Sequence, residues 1–433
     1  MAPAKKKNRL HLVADNAPMD LPVVSLFSGA GGLDLGVHRA GEGKLSLKAC
    51  VEIDADARAT LEENRKLWGG ANTALFSDIH EVQADDLMQR CGLESGETFL
   101  LAGGPPCQSF SSAGLRKGVD GTGDVVRNYF EMVRQLQPRF FVFENVRGLL
   151  SAALKHRPLS SRAHPQEIPQ DKESRLGSIM DLVILPTFKR LGYEVIYGIL
   201  NSADYGTAQV RHRVFLIGSR DRELGSGSFR KQTSRPMTPL DLVPPTHHRH
   251  APYEPISNWR TLGDSIGADF FLEPEIQDTY TYSAERAAIF ADIPTGKNWT
   301  YVRDNPGLFP KGHLAKIMGN GLNSGGGKEG FWRRLAWDRP APTLTAQPQQ
   351  LATSLCHPEE DRPLSIPEYA AVQDFPHDYI FVGSKASRYR QIGNAVPIRL
   401  AEALSRSILA CAGISLARSP SQEAKSRIAS TRT

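Results

Sequence analysis

The 433-residue chain contains no run of about 18 apolar residues, which excludes a helix spanning a bilayer. Met1–Asp20 is basic through Lys5, Lys6 and Lys7 and lacks a continuous apolar core. It reads as a solvated, disordered tail and not as a secretory leader. Cysteine is scarce: Cys50, Cys91, Cys107, Cys356 and Cys411 are widely spread, and no two form a C-x-x-C pair. That excludes a disulfide framework or a cysteine-rich zinc site and favours a reducing cytoplasm. The histidines are scattered without ligand spacing, so no metal is expected; the cluster His247, His248, Arg249, His250 reads as a metal tract, a groove contact or a plain loop. Charge of one sign is barely in excess, 52 Lys and Arg against 47 Asp and Glu, which permits a polyanionic partner without requiring one. No internal repeat is present.

What is present is an alternation of short apolar runs with helical stretches. Val23–Phe27, Leu47–Ile53, Thr98–Ala102, Phe140–Phe143, Tyr193–Leu200 and Val214–Ile217 read as strands. Leu33–Ala40, a stretch from Asp54 to about Lys66, Tyr129–Leu136 and Met180–Leu191 read as helices, with Asp54 placed to cap the second. Doubly apolar strands alternating with helices predict an α/β domain with a mostly parallel sheet. Ser151–Gly177, polar and holding Pro158, Pro165 and Pro169, reads as an inserted loop. From Arg220 the chain is rich in Pro, Gly, His and aromatics and loses the alternation. Ser387–Ala412 returns to a strand-turn-helix style, with Pro397–Cys411 as a closing helix. The division expected is therefore a tail (1–20), a first domain (21–219), a smaller irregular domain (220–386), a return segment completing the first (387–415) and a polar tail (416–433).

Ligands of open α/β sheets gather beyond the carboxyl ends of the strands, where the unusual residues of this chain fall. Phe27, Ser28, Gly29, Ala30, Gly31 and Gly32 follow the first strand; a dinucleotide fingerprint would need glycine at position 34, where Asp34 stands. A glycine turn without a phosphate signature suits a nucleoside lying close to backbone, with Glu52 at the ribose, or a tight turn holding nothing. Pro105 and Pro106 stiffen the turn that carries Cys107, which suits an exposed thiolate nucleophile, whereas Cys50 and Cys411 read as buried packing residues. Glu144 ends an apolar run; it reads as a partly desolvated acid near neutrality, or as a cap or ion-paired carboxylate. In Gln209–Arg213 alternate residues share a face, so Gln209, Arg211 and Arg213 read together as a site or as an exposed basic edge.

Together, Leu26–Gly32, Pro105–Ser111, Glu144–Val146, Gln209–Arg213, Arg334–Gln347 and Arg390–Pro397 resemble the motifs of the cytosine-C5 DNA methyltransferase family, in family order and over almost the whole chain. The resemblance implies an α/β Rossmann-like, S-adenosylmethionine-dependent methyltransferase fold with a target-recognition domain. Cys107, Glu144, Arg211 and Arg213 would be catalytic. Phe27, Ser28, Gly29, Ala30, Gly31, Gly32, Leu33, Glu52, Ile53, Asp78, Ile79, Pro105, Asn128, Asn394, Ala395 and Val396 would hold the donor, leaving S-adenosylhomocysteine. Gln108, Ser109, Ser111 and Gln209 would meet the substrate, a flipped cytosine of duplex DNA.

Gly114, Gly118, Gly121 and Gly123, with Arg116 and Lys117, suggest a lid over 109–124. Sequence choice is expected in Arg220–Trp332, where Trp259-Arg260, Lys297-Asn298-Trp299 and Asn320–Lys328 offer groove contacts. The family further implies a bacterial cytoplasmic, nucleoid-associated monomer, away from membranes and paired in function with a restriction endonuclease without a stable complex. The alternatives are an RNA (tRNA) cytosine-5 methyltransferase and a non-catalytic DNA-binding regulatory descendant. A nicotinamide oxidoreductase is disfavoured by Asp34.

Overall fold

The computed structural model describes residues 19–70, 72–106, 125–155, 171–225, 237–251, 255–267, 270, 278–308, 312, 315, 330–350 and 354–416. Cys107, Gln108, Ser109 and Ser111, the glycine-rich stretch 109–124, Asn320–Lys328 and much of the 151–177 insertion lie outside them.

Seven strands form the central sheet: β1 (Leu21–Leu26), β2 (Leu45–Val51), β3 (Ala74–Phe76), β4 (Leu100–Gly103), β5 (Phe140–Val146), β6 (Glu194–Asn201) and β8 (His212–Ser219). Their order is β3-β2-β1-β4-β5-β8-β6. β1 to β5 run parallel, and β8 is antiparallel to both its neighbours. The short β7 (Gln209–Val210) leaves this sheet and pairs with Ala341–Pro342.

Period-two alternation feeds both faces of the sheet. Val24 and Leu26 of β1 enter one core with Tyr129, Met132 and Val133 of α4 (Val125–Leu136) and with Phe188 of α5 (Leu185–Arg190). Val23 enters the opposite core with Leu33 and Val37 of α1 (Gly32–Gly41) and with Leu400, Leu404 and Ile408 of the closing helix Ile398–Cys411. The two helices approach so closely at Gly36 that a Cβ there would lie 2.4 Å from that of Ala401. Cys50 and Cys411 are buried as read from sequence.

Between residues 220 and 386 the described elements are short, such as the helices Ala284–Ala291 and Ile366–Val372 and two-residue strand pairs. Tyr282, Phe290, Trp299 and Trp332 form a separate apolar cluster, while Leu335, Leu344 and Tyr369 join a core containing Ala30 and Leu35. The strand component expected after Ser387 is absent: Lys385–Asn394 is helical, its start capped by Ser384 Oγ, which accepts from Ser387 N at 3.2 Å. The helix α3 (Ala84–Cys91), packed against α4 and β2, escapes sequence reading because only Ala84 and Leu87 of it are buried.

Candidate active site

Strand order reverses beside β1, between β2 and β4, and this is where an α/β sheet opens a crevice. A cavity of about 430 Å³ lies there. Its first wall is the turn after β1. Phe27 adopts a left-handed backbone (φ 57°), as do Gly29 (56°) and Gly31 (78°). A bulky residue held in that region costs about 1–3 kcal/mol, and such strain concentrates at functional turns. Gly32 allows the close approach of the return segment: a Cβ there would lie 2.5 Å from the Val396 carbonyl oxygen.

Glu52, at the end of β2, braces this turn. Its Oε2 accepts from Gly29 N at 2.8 Å and its Oε1 from Asp54 N at 2.8 Å. Burial raises its carboxyl above the usual range, against those two amide donors. Ile53 beside it is 66% exposed, an apolar side chain at the rim. Asp54 caps α2 (Ala55–Glu63) by accepting from Ala57 N at 3.1 Å, as predicted.

The second wall joins β4 to β5. Asn145 Nδ2 donates to the Pro105 carbonyl at 2.9 Å, fixing the end of β5 to the turn that leads toward Cys107. Glu144 faces the cavity with Arg213, whose Nε lies 3.1 Å from Glu144 Oε1; both side chains are 14% exposed. Burial raises the Glu144 carboxyl, and the Arg213 and Arg211 charges only partly oppose it. Gly104 makes room for the acid, since a Cβ there would sit 2.7 Å from Glu144 Oε2. Sequence reading passed over Gly104 and gave Asn145 no role of its own; a glycine before Pro-Pro and an amide after the acid were the available signals.

Arg211, between β7 and β8, and Arg213, on β8, both line the cavity but differ in duty. Arg211 is buried and donates to the carbonyls of Leu344 (3.0 Å) and Gly393 (2.8 Å), tying the crevice to the return segment. Burial, with Arg213 beside it, lowers its pKa to about 9 despite Glu144 and Tyr369. Gln209 is buried away from the cavity: its Oε1 accepts from Leu344 N at 3.0 Å and its Nε2 donates to Gln373 Oε1 at 3.1 Å.

One cavity therefore brings together Phe27, Ser28, Gly29, Gly32, Leu33, Glu52, Ile53, Pro105, Glu144, Arg211, Arg213, Asn394, Ala395 and Val396. Ala30 and Gly31 belong to the turn but not to its wall. Asp78 borders a separate hollow with Phe76 and Arg90, where its Oδ1 accepts from His80 N at 3.0 Å. Ile79 is in the α4-side core, and Asn128 lies on α4 outside the wall. Among the groove candidates, Trp299 is buried in its apolar cluster and the Trp259 indole donates to Asp204 Oδ1 at 2.8 Å.

A mostly parallel α/β sheet with a ligand crevice at its reversal point, lined by an acid–arginine pair, defines the general class. The chain belongs to the C-5 cytosine-specific DNA methylase family, whose model matches residues 21–162 and 172–410, and it is a DNA (cytosine-5-)-methyltransferase of the type II modification group. It is 36% identical to the type II methyltransferase M.Sau96I of Staphylococcus aureus over 90% of this chain and 76% of that protein. It is 31% identical to the type II methyltransferase M.Eco47II of Escherichia coli over 89% and 78%. In fold it resembles the S. pombe Dnmt2 methyltransferase (TM-score 0.55, 13% identity, 90% of this chain and 98% of that one). No described helix is long and apolar enough to cross a membrane.

Proposed function

We propose that the protein methylates C5 of a flipped cytosine in a specific duplex DNA sequence, using S-adenosylmethionine, as the modification half of a restriction-modification system. The observation that carries this reading is the Glu144–Arg213 pair opening into the same cavity as the Phe27–Leu33 turn and Glu52. A cavity of about 430 Å³ with strained glycine turns, a braced carboxylate and an exposed Ile53 fits a nucleoside-bearing donor. Phe27, Glu52, Ile53, Asn394 and Val396 would hold the donor, which supplies an electrophilic sulfonium methyl group when bound. Ala30, Gly31, Asp78, Ile79 and Asn128, off the cavity wall, would meet it only after local movement.

Cytosine C5 is a poor nucleophile until a thiolate adds at C6. Cys107 supplies that thiolate. Glu144 hydrogen-bonds the exocyclic amine and protonates N3, drawing electrons from the ring; its raised pKa keeps the proton available nearer neutrality. Arg213 holds O2 and orients Glu144, and Arg211 acts through the return segment it pins. Loss of the C5 proton then expels Cys107. Flipping the base out of the duplex costs a few kcal/mol. The stretch 220–386 serves as target-recognition region and 387–415 completes the catalytic domain. The enzyme works as a cytoplasmic, nucleoid-associated monomer beside an endonuclease with which it forms no stable complex.

Bisulfite sequencing of DNA from cells expressing the chain is expected to reveal one protected cytosine in one motif. Duplex DNA containing 5-fluorocytosine should trap a covalent adduct, absent for Cys107→Ser. Methylation of tRNA but not duplex DNA, or no adduct with the wild-type chain, overturns the reading.

A further inference from the structure

We propose that Arg390 is a positioning residue for the methyl donor, acting through Asp54; this rests on the reading of the crevice as the donor site. Arg390 belongs to the return segment, in the helix Lys385–Asn394. Its Nη2 donates to Asp54 Oδ2 at 2.6 Å and to Ser387 Oγ at 3.1 Å. Both Arg390 and Asp54 line the cavity. The ion pair thus clasps the end of β2 to a helix that lies 336 positions later in the chain.

The clasp matters because of what hangs from Asp54. Its backbone N–H donates to Glu52 Oε1, and the other oxygen of Glu52 takes Gly29 N. Arg58 Nη1 donates to the carbonyl oxygens of Glu52 and Ile53, both at 2.7 Å. The turn 52–54 therefore has its carbonyls pinned from α2, while the Asp54 carboxylate is held by the α2 amides of Asp56 and Ala57 and by Arg390. Thr60 of α2 also donates through Oγ1 to Gln391 Oε1 at 2.7 Å, so the two walls stay joined without the guanidinium, but the Asp54 side chain then loses its tie to the return segment and the 52–54 turn loosens at the rim. A donor held partly by that turn leaves faster when it loosens. The pair is partly open to water (side chains 46% and 31% exposed), so the effect is a few-fold, not a collapse.

The test is titration calorimetry of S-adenosylhomocysteine into the full chain, without DNA. At 0.1 M salt Arg390→Gln is expected to weaken binding about threefold, whereas Arg390→Lys stays within about twofold of wild type. Asp54→Asn keeps an oxygen able to cap α2 and should match Arg390→Gln. The double variant should be no weaker than either single one, because both remove the same contact. At 1 M salt, where charges are screened within about 3 Å, the differences should disappear. In steady state the KM for the donor rises by the same factor while kcat moves less than about twofold. Wild-type affinity in Arg390→Gln, additive losses in the double variant, or a fall in kcat with KM unchanged overturns the clasp. Should Arg390→Gln not fold, Asp54→Asn against Arg390→Lys decides the same point. Failure of the wild-type chain to bind S-adenosylhomocysteine would instead overturn the reading of the crevice.

Discussion

The sheet region and the stretch from 220 to 386 hold themselves together by different means. The sheet has apolar layers on both faces and concentrates its polar groups along one edge, at the ends of β1, β2, β4 and β5. The later stretch has short elements and leans on buried ions. Arg334, buried, donates to the carbonyls of Ile293 (2.7 Å), Phe290 (2.5 Å) and His357 (3.1 Å) and pairs with Asp361. Arg362 grips Glu368 through Nη1 and Nη2, at 2.7 and 3.0 Å. Charge in the first region gathers at a cavity; charge in the second stands in for missing secondary structure.

That contrast predicts different consequences of removing a charge. The largest effect belongs to Glu144→Gln, expected to lower kcat by about 10²–10⁴-fold while cofactor affinity holds, because the amide keeps a hydrogen bond but has no proton to give. The wild-type rate should fall on the alkaline side as Glu144 loses its proton, and that limb should be missing from the variant's residual pH profile; a loss below tenfold would break the contrast. Arg334→Met should cost about 3 kcal/mol or more in urea denaturation, since several buried carbonyls lose their donor at about 1–3 kcal/mol each. Unchanged stability would show that the ions of the second region are ornament.

A further effect, confined to a pH window, concerns Asp34, a buried carboxyl in the sheet region beside the Ser25 and Ser28 hydroxyls. Burial, aided by Glu52 and offset by the Ser25 and Ser28 hydroxyls, raises it from 3.8 to about 7. The folded chain thus holds a proton across that window that the unfolded chain releases, so stability falls as pH rises through it. Asp34→Asn should therefore gain in Tm over wild type as pH rises from about 4 to about 7, and no further above it; a pH-independent difference would refute this.

Much of the architecture was legible in sequence because apolar runs such as Val23–Phe27 and Phe140–Phe143 leave no alternative to a strand buried on both faces. Direction was not: nothing in His212–Ser219 signals that β8 runs against its neighbours, because strand sense is settled by the chain's route and not by side chains. The resemblance put Glu144 and Arg213 in one site with Arg211 in support, but how Arg211 gives that support was not legible. Both arginines line one cavity, and only the carbonyls of Leu344 and Gly393, more than a hundred residues away, separate their tasks. Asp54 announced itself as a helix cap; its second partner, Arg390, lies too far along the chain for any local pattern to reveal.

The closing helix Ile398–Cys411 has a bearing on biosynthesis. Its Ala401 presses on Gly36 of the first helix, and its leucines cover one face of the sheet. A nascent chain on the ribosome therefore exposes that apolar face until residues 398–411 have been translated. No premature product ending before residue 398 retains the cover, so a truncated translation product is a substrate for proteases before it is a modifier of genomes.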